Sequence, residues 1–500
     1  MRPLSKSKLM AWRQCPRRLW LEVHHRELRE DPAASQVRFA VGDLVGALAR
    51  SLYDPDENGI LIEFEQDDAD AGVARTTAAL DRRVPIFEAG LEGGGARAFV
   101  DVLRPVRRGG TRSWELIEVK SSASAKATHR DDLAIQAYVA HAAGIPVAAA
   151  KLAHVDTGFV YRGDDDYHGL LRELDLTAEV AGRSSEVAGW IASARKVADL
   201  PGEPAVPTGS QCRTPYPCAF LRHCRASEAA VGYPVQLLPG LQGDLRRMID
   251  RRGLRDLREL PDDGLSPLQL RVKQHTLSAS VYFDRSGAAA DLAGCAAPQV
   301  FLDFEAVQLA VPIWAGARPY QMFPFQFSLH TCAPDGQLEH HEFLDLGGGD
   351  PSRAFAQALV DACPATGTIF VWNASFELAR IADLAHRFAD LRPSLESLAV
   401  RIFDLLRVAE ARYYHPVQRG SWKLKRVLPA FAPDLDHADL EGVNDGHMAM
   451  LAYIEAIQTE TPPERRIALD RALRDYCRLD SLALYRVWRV LSGQDPGSPD

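Results

Sequence analysis

The order of apolar and polar residues in the first half of the chain predicts both strands and helices. Apolar and polar residues alternate at 97–105 and 114–119, as expected of strands with one buried face. Apolar residues recur with helical spacing at 8–28, 42–53 and 131–143. We therefore expect helices packed on a sheet in this half.

The second half shows a more regular succession of elements. The pattern predicts strands at 299–305, 324–330 and 368–372 and helices at 351–362, 376–388 and 463–490. Such alternation is typical of an α/β domain. Between the halves, 234–274 is short, predicted helical and rich in arginine, which indicates a connector with a basic face. Its arginines are Arg246, Arg247, Arg251, Arg252, Arg255 and Arg258.

Length and composition limit the class of protein. The 500 residues, 46% of them hydrophobic, suffice for about three domains with large cores. The N-terminus lacks the apolar stretch of a secretion signal, and no apolar run is long enough to span a bilayer, so we expect a cytoplasmic protein with no membrane partner. The net charge of −9 is not typical of a polyanion binder, but carboxylates gathered around metal ions would produce the same balance.

Four of the eight cysteines suggest a shared cofactor. Cys15 stands alone near the N-terminus, whereas Cys212, Cys218 and Cys224 lie close together in a segment whose prolines favour turns. Cytoplasmic thiols stay reduced and bind metal more often than they form disulfides. Four thiolates fit an iron–sulfur cluster, and they equally fit a structural zinc site, in which His223 could replace one of them. Ordinary buried cysteines are the third alternative.

Acidic residues interrupt the two strands predicted in the first half. Asp101 lies within an apolar strand, and Glu118 and Lys120 project from one face of the next strand because they are two residues apart. Two carboxylates on adjacent strands can hold Mg²⁺ or Mn²⁺ between a phosphate and an attacking water, which the lysine can orient or deprotonate. A simple ion pair between Glu118 and Lys120 is the alternative.

Residues 1–225 resemble the RecB-type branch of the PD-(D/E)XK nucleases, in the version with an iron–sulfur cluster held by one early and three late cysteines. The resemblance rests on these cysteines and acids and on the helix at 132–138, where Gln136 and Tyr138 match the motif that supports the active site and contacts DNA. It implies a restriction-endonuclease-like fold and a 4Fe-4S cluster on the four cysteines. It also implies a catalytic set of Asp101, Glu118, Lys120, Gln136 and Tyr138, with divalent metal on Asp101 and Glu118.

A second group of acidic residues lies in the last domain, on a strand and on two helices. The group consists of Asp303, Glu305, Glu377 and Asp480, with Tyr476 four residues before the last acid and Asp404 as an alternative contributor. Asp303 and Glu305 share one face of a strand, where two carboxylates repel each other unless cations compensate their charge. Tyr476 and Asp480 share one face of the final helix. The group therefore predicts a site for a pair of metal ions.

The ordered set of acids resembles the DnaQ-like (DEDD) 3′–5′ exonucleases of the ribonuclease-H-like fold, in the tyrosine variety. The resemblance implies that the four acids hold two divalent ions about 4 Å apart and that Tyr476 positions the attacking water. The whole chain resembles a bacterial family of predicted RecB-type nucleases fused to such a domain of unknown function. In relatives the connector resembles helix-hairpin-helix elements, which grip phosphates without reading sequence. Here the segment 238–241 and the arginines fit such an element, and they equally fit an amphipathic helix with a solvated charged face.

The expected architecture is an α/β protein with three parts and a tail. A PD-(D/E)XK domain with the cysteine cluster would span 1–228, a helical connector 229–296, and a DnaQ-like domain 297–492, before a disordered tail at 493–500. The predicted function is metal-dependent hydrolysis of DNA, single-stranded or with free ends, by an end-processing exonuclease in repair or defence.

Three departures from these families keep alternatives open. Gly46 stands where many relatives have a histidine ligand, and Glu377 replaces the more usual aspartate. The cysteines follow a C-x5-C-x5-C spacing instead of the better-known C-x2-C-x5-C. A nucleic-acid-binding scaffold with degenerate centres is therefore one alternative. An RNA-directed exonuclease is another, because nothing in the sequence reads a 2′-hydroxyl.

Overall fold

The computed structural model describes residues 3–31, 33–63, 68–228, 231–437, 440 and 442–494. It shows a mixed α/β protein that divides into two compact units. Unit 1 comprises residues 1–230 and 309–321, and unit 2 comprises residues 231–308 and 322–500. Nearly all of the segment that we expected to be a connector, 229–296, thus belongs to unit 2. Most of the predicted tail, 495–500, lies outside the described residues.

Unit 1 is built on one mixed sheet. Its strands are β1 (Leu4–Ser5), β2 (Ile60–Leu61), β3 (Ile86–Gly93), β4 (Ala96–Arg108), β5 (Thr111–Lys120), β6 (Val147–Val155) and β7 (Leu171–Asp175). Its helices are α1 (Lys6–Gln14), α2 (Pro16–His24), α3 (Ala33–Tyr53), α4 (Ala69–Ala79), α5 (Ala127–Ala142), α6 (Thr177–Gly182), α7 (Ser184–Ala198) and α8 (Leu221–Ala226). The strand order is β2-β3-β4-β5-β6-β7, with β1 paired to β4.

The central part of this sheet combines two kinds of pairing. Strands β3, β4 and β5 are antiparallel, and β6 runs parallel to β5 after the crossover helix α5. Strands β4 and β5 and helix α5 confirm the elements predicted at these positions. Helix α5 buries Leu133, Ile135 and Val139 in the core of unit 1.

The single helix predicted at 8–28 is wrong, because the chain breaks at Cys15. Cys15 has an extended backbone, with φ −164° and ψ 125°, and Pro16 begins the next helix. Proline disfavours a helical conformation in the residue before it and cannot donate an i→i−4 hydrogen bond. Helix α1 therefore ends at Gln14, and Cys15 lies at the junction of two helices.

Unit 2 contains a second mixed sheet and most of the helices of the second half. Its strands are β8 (Tyr282–Phe283), β9 (Gln299–Gln308), β10 (Met322–Cys332), β11 (Leu338–Leu344), β12 (Thr368–Val371), β13 (Ile402–Asp404) and β14 (Tyr413–Tyr414). The first helices are α9 (Gly243–Arg252), α10 (Pro267–Leu277), α11 (Arg285–Leu292), α12 (Ser352–Ala362) and α13 (Ser375–Arg387). The remaining helices are α14 (Arg392–Ala399), α15 (Leu405–Arg412), α16 (Leu424–Phe431), α17 (Gly446–Ala456) and α18 (Pro463–Leu491).

Strand β9 lies in the middle of the five-stranded sheet of unit 2, whose order is β11-β10-β9-β12-β13. It pairs antiparallel with β10 and parallel with β12, while β8 and β14 form a separate small ribbon. The strands and helices predicted from residue 299 onward are confirmed to within a few residues at their ends. No helix within the described residues combines the length and the apolar character that a membrane span requires.

Residues 309–321, which connect β9 to β10, pack within unit 1. Ala310 and Val311 lie in one apolar cluster with Val45, Val155 and Leu170. The backbone N–H of Tyr161 donates to the carbonyl of Ala317 at 2.9 Å, and the N–H of Gly316 donates back to the carbonyl of Tyr161 at 2.7 Å. This segment therefore completes the core of unit 1 although it follows the residues of unit 1 by some eighty positions.

We expect Val311→Asp to destabilise unit 1, because Val311 is only 6% exposed and a carboxylate there would be desolvated without a partner. The free energy of unfolding should fall by roughly 2–4 kcal/mol, within the range for an unpaired buried charge. Thermal and urea unfolding of the full chain would measure the loss. Ile313→Asp is the matched control, since Ile313 in the same segment is 45% exposed. Equal losses from both variants would contradict the packing described.

Candidate functional site

The acidic residues of unit 2 meet where β9 faces α18. Asp303 and Glu305 project from the same face of β9, and Asp480 approaches them from α18. One carboxylate oxygen from each lies within 4.8 Å of the other two. Within the described residues, no other three acids, histidines or cysteines form so compact a group. The structure thus brings together three of the four acids predicted as metal ligands. We call Asp303, Glu305, Glu377 and Asp480 the back centre.

Aromatic packing fixes α18 over this face of β9. Phe301 precedes Asp303 by two residues and therefore points to the same side of the sheet. Its ring lies 5.4 Å from that of Tyr485 and 5.5 Å from that of Trp488, centroid to centroid. The two α18 rings follow Asp480 by one to two helical turns. The apolar part of the β9–α18 contact therefore determines where the carboxylate of Asp480 lies.

Three side chains surround the acids without being acids themselves. Tyr476, one helical turn before Asp480, is 4% exposed. The thiol of Cys477 donates to Asp303 Oδ2 at 3.6 Å. His437 Nε2 is hydrogen-bonded to Asp480 Oδ1 at 2.7 Å. Tyr476 was predicted, whereas Cys477 and His437 were not. Cys477 sits inside the predicted motif, but His437 lies in the loop after α16, where no spacing identifies it.

Glu377 lies in the first turn of α13, beside the three clustered acids. It is 3% exposed, and its Oε2 atom is buried without a hydrogen-bond partner. It is not part of the compact group of three, although its charge acts on Asp303. A buried acceptor without a partner is costly unless a cation or a proton satisfies it. Glu377 is therefore positioned to take part in cation binding from the edge of the group.

Asp404, the alternative contributor, has a structural role in the strand-to-helix turn that precedes α13. Its Oδ1 atom accepts a hydrogen bond from the backbone N–H of Asn373 at 3.0 Å. Asn373 has a φ of 69°, in the left-handed region that asparagine tolerates better than most residues. Asp404 also pairs with Arg407 at 3.4 Å. Asp404 thus stabilises the turn that positions Glu377 at the start of α13. It is not part of the compact group of three acids.

Lys425 is a cation beside the back centre that the acidic motif does not include. Its ammonium lies 5.0 Å from the centroid of the Tyr476 ring and donates to the carbonyl of Asn444. Trp422 anchors the loop before it: the indole N–H donates to the carbonyls of Ala409 and Tyr413, at 3.2 Å each. Lys425 is therefore held near the acids by a buried tryptophan.

The electrostatics of the back centre favour protons or cations over free carboxylates. Desolvation raises the pKa of Asp303 and of Glu305 well above the ordinary range, and the charge of Asp480 raises both further. Desolvation, with the charge of Asp404, raises the pKa of Glu377 to about 8. Lys425 opposes the shift at Glu305. A divalent cation would relieve the same repulsion, so these residues fit a metal site.

The front centre in unit 1 is a network that joins β5, α5 and α1, and we define it as Asp101, Glu118, Lys120, Asp132, Gln136 and Lys6. The ammonium of Lys120 pairs with Glu118 Oε1 and lies 2.7 Å from Asp132 Oδ2. Gln136 donates from Nε2 to Glu118 Oε2. Lys6 Nζ lies 3.2 Å from Glu118 Oε1 and 3.0 Å from Asp132 Oδ1. Asp132 and Lys6 were not predicted, although Asp132 shares a face of α5 with Gln136, four residues later.

Asp101, Tyr138 and Gly46, the remaining positions singled out in the sequence of this domain, lie in different surroundings. Asp101 comes next to Glu118 in the register of β4 and β5, and its Oδ2 atom accepts from the N–H of Val119 at 2.6 Å. Tyr138 packs against the turn at Gly94, between β3 and β4, outside the hydrogen-bonded network. Gly46 has open space where a side chain would begin.

Two lysines keep Asp132 ionised in the front network, whereas burial raises the pKa of its other acids, Asp101 and Glu118. Desolvation and the charges of Asp101 and Asp132 raise the pKa of Glu118 to about 8. Desolvation would also raise the pKa of Asp132, but Lys120 and Lys6 lower it well below its ordinary range. The pKa values of both lysines are raised, because the carboxylate charges outweigh their desolvation. The front centre is therefore partly compensated by the protein's own cations.

The four cysteines of unit 1 lie in one region. All four are at most 9% exposed, and Cys212, Cys218 and Cys224 share an apolar cluster with Trp20, Leu21 and Phe220. Cys218 interacts electrostatically with Cys212 and Cys15, and desolvation is the main reason that its pKa is raised. Desolvation likewise raises the pKa of Cys224 to about 12. The early and late cysteines are thus neighbours in the fold.

Side chains next to Cys15 tie the α1–α2 junction to the late cysteine segment. Gln14 Nε2 donates to the carbonyls of Gln211 and Tyr216, at 2.6 and 2.7 Å. No three of the four sulfurs lie within 4.8 Å of one another. A tetrahedral zinc site, with bonds of about 2.3 Å, needs sulfurs about 3.8 Å apart. The donor set fits a four-thiolate cofactor in number and type.

Comparison with known proteins adds one family and no function. Residues 300–423 match the family of a domain of unknown function (DUF2779). This stretch begins in β9, includes Asp303, Glu305 and Glu377, and ends before Lys425, Tyr476 and Asp480. A comparison with curated proteins finds no match.

Glu377→Gln should change the pH dependence of stability in metal-free protein. The folded-state pKa of Glu377, about 8, exceeds the ordinary value of 4.5. Its contribution to stability is therefore complete below about pH 4.5 and is lost as the pH rises through about 8. Glutamine cannot ionise, so the variant should lose less stability between pH 5 and 9, by roughly 2–4 kcal/mol.

Urea unfolding in EDTA at pH 5, 7 and 9 would measure this difference. Glu396→Gln on α14 is the matched control, because Glu396 is exposed and its substitution should leave the pH profile unchanged. Parallel profiles for wild type and Glu377→Gln would contradict the assignment of a buried, protonated carboxyl group.

Proposed function

We propose that this protein is a divalent-metal-dependent nuclease that hydrolyses DNA phosphodiester bonds, and that the back centre is its working site. The observation that carries the proposal is the approach of the Asp303, Glu305 and Asp480 carboxylates to within 4.8 Å of one another. The three carboxylates repel one another, and divalent cations would remove that repulsion. A pair of such cations held by carboxylates is a known arrangement for in-line displacement at phosphorus. The position of these acids on a central strand and a closing helix supports a ribonuclease-H-like domain of the DnaQ type.

The residues of the back centre have distinct roles in this proposal. Asp303, Glu305 and Asp480 hold the cations, and Glu377 completes the set with its unpartnered oxygen. When bound, divalent cations activate water and neutralise charge on the phosphate. The hydrogen bond from His437 keeps the Asp480 carboxylate oriented.

Tyr476 and Lys425 act on the reactants without holding the cations. Desolvation and the charge of Asp480 raise the pKa of Tyr476, so the phenol stays protonated and orients water as a hydrogen-bond donor. Lys425, next to its ring, offers a positive charge to the phosphate. The chain thus supplies an acceptor set for cations and, beside it, two donors for the substrate.

The substrate that we propose is DNA, single-stranded or with free ends. Helix α9 supports contact with phosphates, because Arg251 and Arg252 are exposed near its C-terminal end. Other arginines of this helix are paired within it, Arg246 with Asp250 and Arg247 with Asp244. The basic surface is therefore smaller than the six arginines of the segment suggest, and it favours sequence-independent contact with the backbone.

In unit 1 we propose a PD-(D/E)XK-type nuclease domain with a 4Fe-4S cluster held by Cys15, Cys212, Cys218 and Cys224. The antiparallel β3-β4-β5 arrangement, followed by α5 and the parallel strand β6, supports the fold by presenting Asp101 and Glu118 on neighbouring strands. The four thiols supply the number and type of ligands that such a cluster takes. Bound cluster would join the α1–α2 junction to the late cysteine segment.

Asp303→Asn should abolish cleavage at the back centre, with a loss of at least about a thousandfold in rate, since a neutral amide is a poor ligand for a divalent cation. The assay uses end-labelled single-stranded DNA and RNA of matched sequence, with Mg²⁺ or Mn²⁺. Asp475→Asn is the matched control, because Asp475 is exposed on α18 next to Tyr476 and should have no effect.

Three outcomes of this assay decide between the alternatives. Metal-dependent cleavage of DNA that disappears in Asp303→Asn supports the proposal. Preferential cleavage of RNA would replace it with an RNA-directed exonuclease. Binding without cleavage under either metal would indicate a scaffold.

Cys218→Ser should remove the bound cofactor, because serine is a poor ligand for iron in such a cluster. Iron, sulfide and zinc would be quantified after anaerobic purification, with about four iron atoms per chain expected for the wild type. Cys332→Ser is the matched control, since Cys332 is also buried but lies in unit 2. Zinc in place of iron in the wild type would refute the cluster while leaving the nuclease proposal intact.

A further inference from the structure

Lys6 is a cation in the front centre that no motif of the sequence assigns. It is the first residue of α1, and its ammonium bridges Glu118 and Asp132 at 3.2 and 3.0 Å. The side chain of Lys6 is 20% exposed, and that of Glu118 is 1% exposed. The ion pair is therefore largely shielded from solvent and salt.

Backbone pairing holds Lys6 in this position. Strand β1 pairs in parallel with β4, with Leu4 opposite Ala96 and Ser5 opposite Arg97. Leu4 is 4% exposed and belongs to the core of unit 1. Ser5 then caps α1, because its hydroxyl accepts a hydrogen bond from the N–H of Lys8 at 3.3 Å. The pairing of β1 and the capped start of α1 therefore fix the position of Lys6 beside Glu118 and Asp132.

The carboxylate oxygens that face Lys6 are already used by the protein. Glu118 Oε1 contacts both Lys6 and Lys120, and Oε2 accepts from Gln136. Asp132 uses Oδ1 for Lys6 and Oδ2 for Lys120. Two ammonium groups thus pair with the carboxyl groups of Glu118 and Asp132, while the third acid, Asp101, accepts from the backbone N–H of Val119. A divalent cation that binds Glu118 must displace an ammonium group and meet its repulsion.

At the back centre, the charge of Lys425 acts on Glu305 without forming an ion pair. Within the described residues, no lysine or arginine forms an ion pair with Asp303, Glu305 or Asp480. Lys425 stays over the Tyr476 ring and donates to a backbone carbonyl. The two centres therefore differ in what neutralises their acids.

We propose that Lys6 is a built-in cation of the front centre, which supplies the positive charge that a divalent ion supplies at the back centre. Lys6 and Lys120 occupy the oxygens of Glu118 and Asp132 that a divalent ion would need, so the front centre takes up divalent cations more weakly than the back centre. Lys6 thereby sets which centre is loaded with metal. This inference concerns cation binding, and its test does not require cleavage.

The test measures Mn²⁺ binding by the full chain with the back centre disabled by Asp303→Asn and Asp480→Asn. Adding Lys6→Met, which keeps length and removes charge, should raise the affinity of the front centre for Mn²⁺ at least tenfold. Lys6→Arg keeps the charge and should leave the affinity low. Lys196→Met is the matched control, because it removes one charge from an exposed position on α7. Electron paramagnetic resonance of free Mn²⁺ gives the binding curves.

A change of less than twofold in Lys6→Met, or an equal rise in Lys196→Met, would overturn the proposal. A second comparison leaves Lys6 in place and so does not depend on whether its variants fold. In the Glu118→Gln variant the front centre is disabled, so the measured Mn²⁺ affinity is that of the back centre. In the double variant Asp303→Asn, Asp480→Asn the measured affinity is that of the front centre. We expect at least tenfold tighter Mn²⁺ binding at the back centre, and equal affinities would overturn the proposal as well. Loss of cleavage alone, with this difference intact, would count only against the nuclease assignment.

Discussion

Compensation of charge on closely spaced carboxylates is the constraint on which both centres depend. At the back centre, β9 and α18 bring acids together because their aromatic residues pack, and packing alone cannot neutralise them. At the front centre, the same problem is solved by two lysines that reach the carboxylates from β5 and α1. One solution leaves room for mobile cations, and the other uses charges fixed in the chain.

The two solutions also differ in how the surrounding fold supports them. The back centre recruits His437 and Cys477, which hydrogen-bond the acids but bring no permanent positive charge. The front centre recruits Gln136, which satisfies an oxygen of Glu118 and leaves its own Oε1 atom buried without a partner. In the back centre, the Oε2 atom of Glu377 is likewise buried without a hydrogen-bond partner. Each centre thus contains one unsatisfied buried oxygen. A bound water or cation would satisfy each of these two atoms.

Much of this structure could be predicted from the sequence, because the spacing of apolar and polar residues follows the periods of strands and helices. Alternation identified β9 and placed Asp303 and Glu305 on one face, and four-residue spacing placed Tyr476 and Asp480 on one face of α18. Periodicity does not say which element packs on which, so the contribution of His437 from a loop was not predictable. The role of Lys6 was not predicted for the same reason, since the pairing of β1 with β4 is what places Lys6 near Glu118. The break at Cys15 was signalled by Pro16, but the apolar spacing on both sides of it suggested one helix.

The segment 309–321 has a consequence for how this chain can be taken apart. It leaves unit 2 at the end of β9, completes the core of unit 1 and returns at the start of β10. No single cut in the polypeptide therefore yields both units whole, and a gene fragment that ends at residue 230 encodes an incomplete core. Recombination that exchanged one half of such a gene would separate core residues that must stay together.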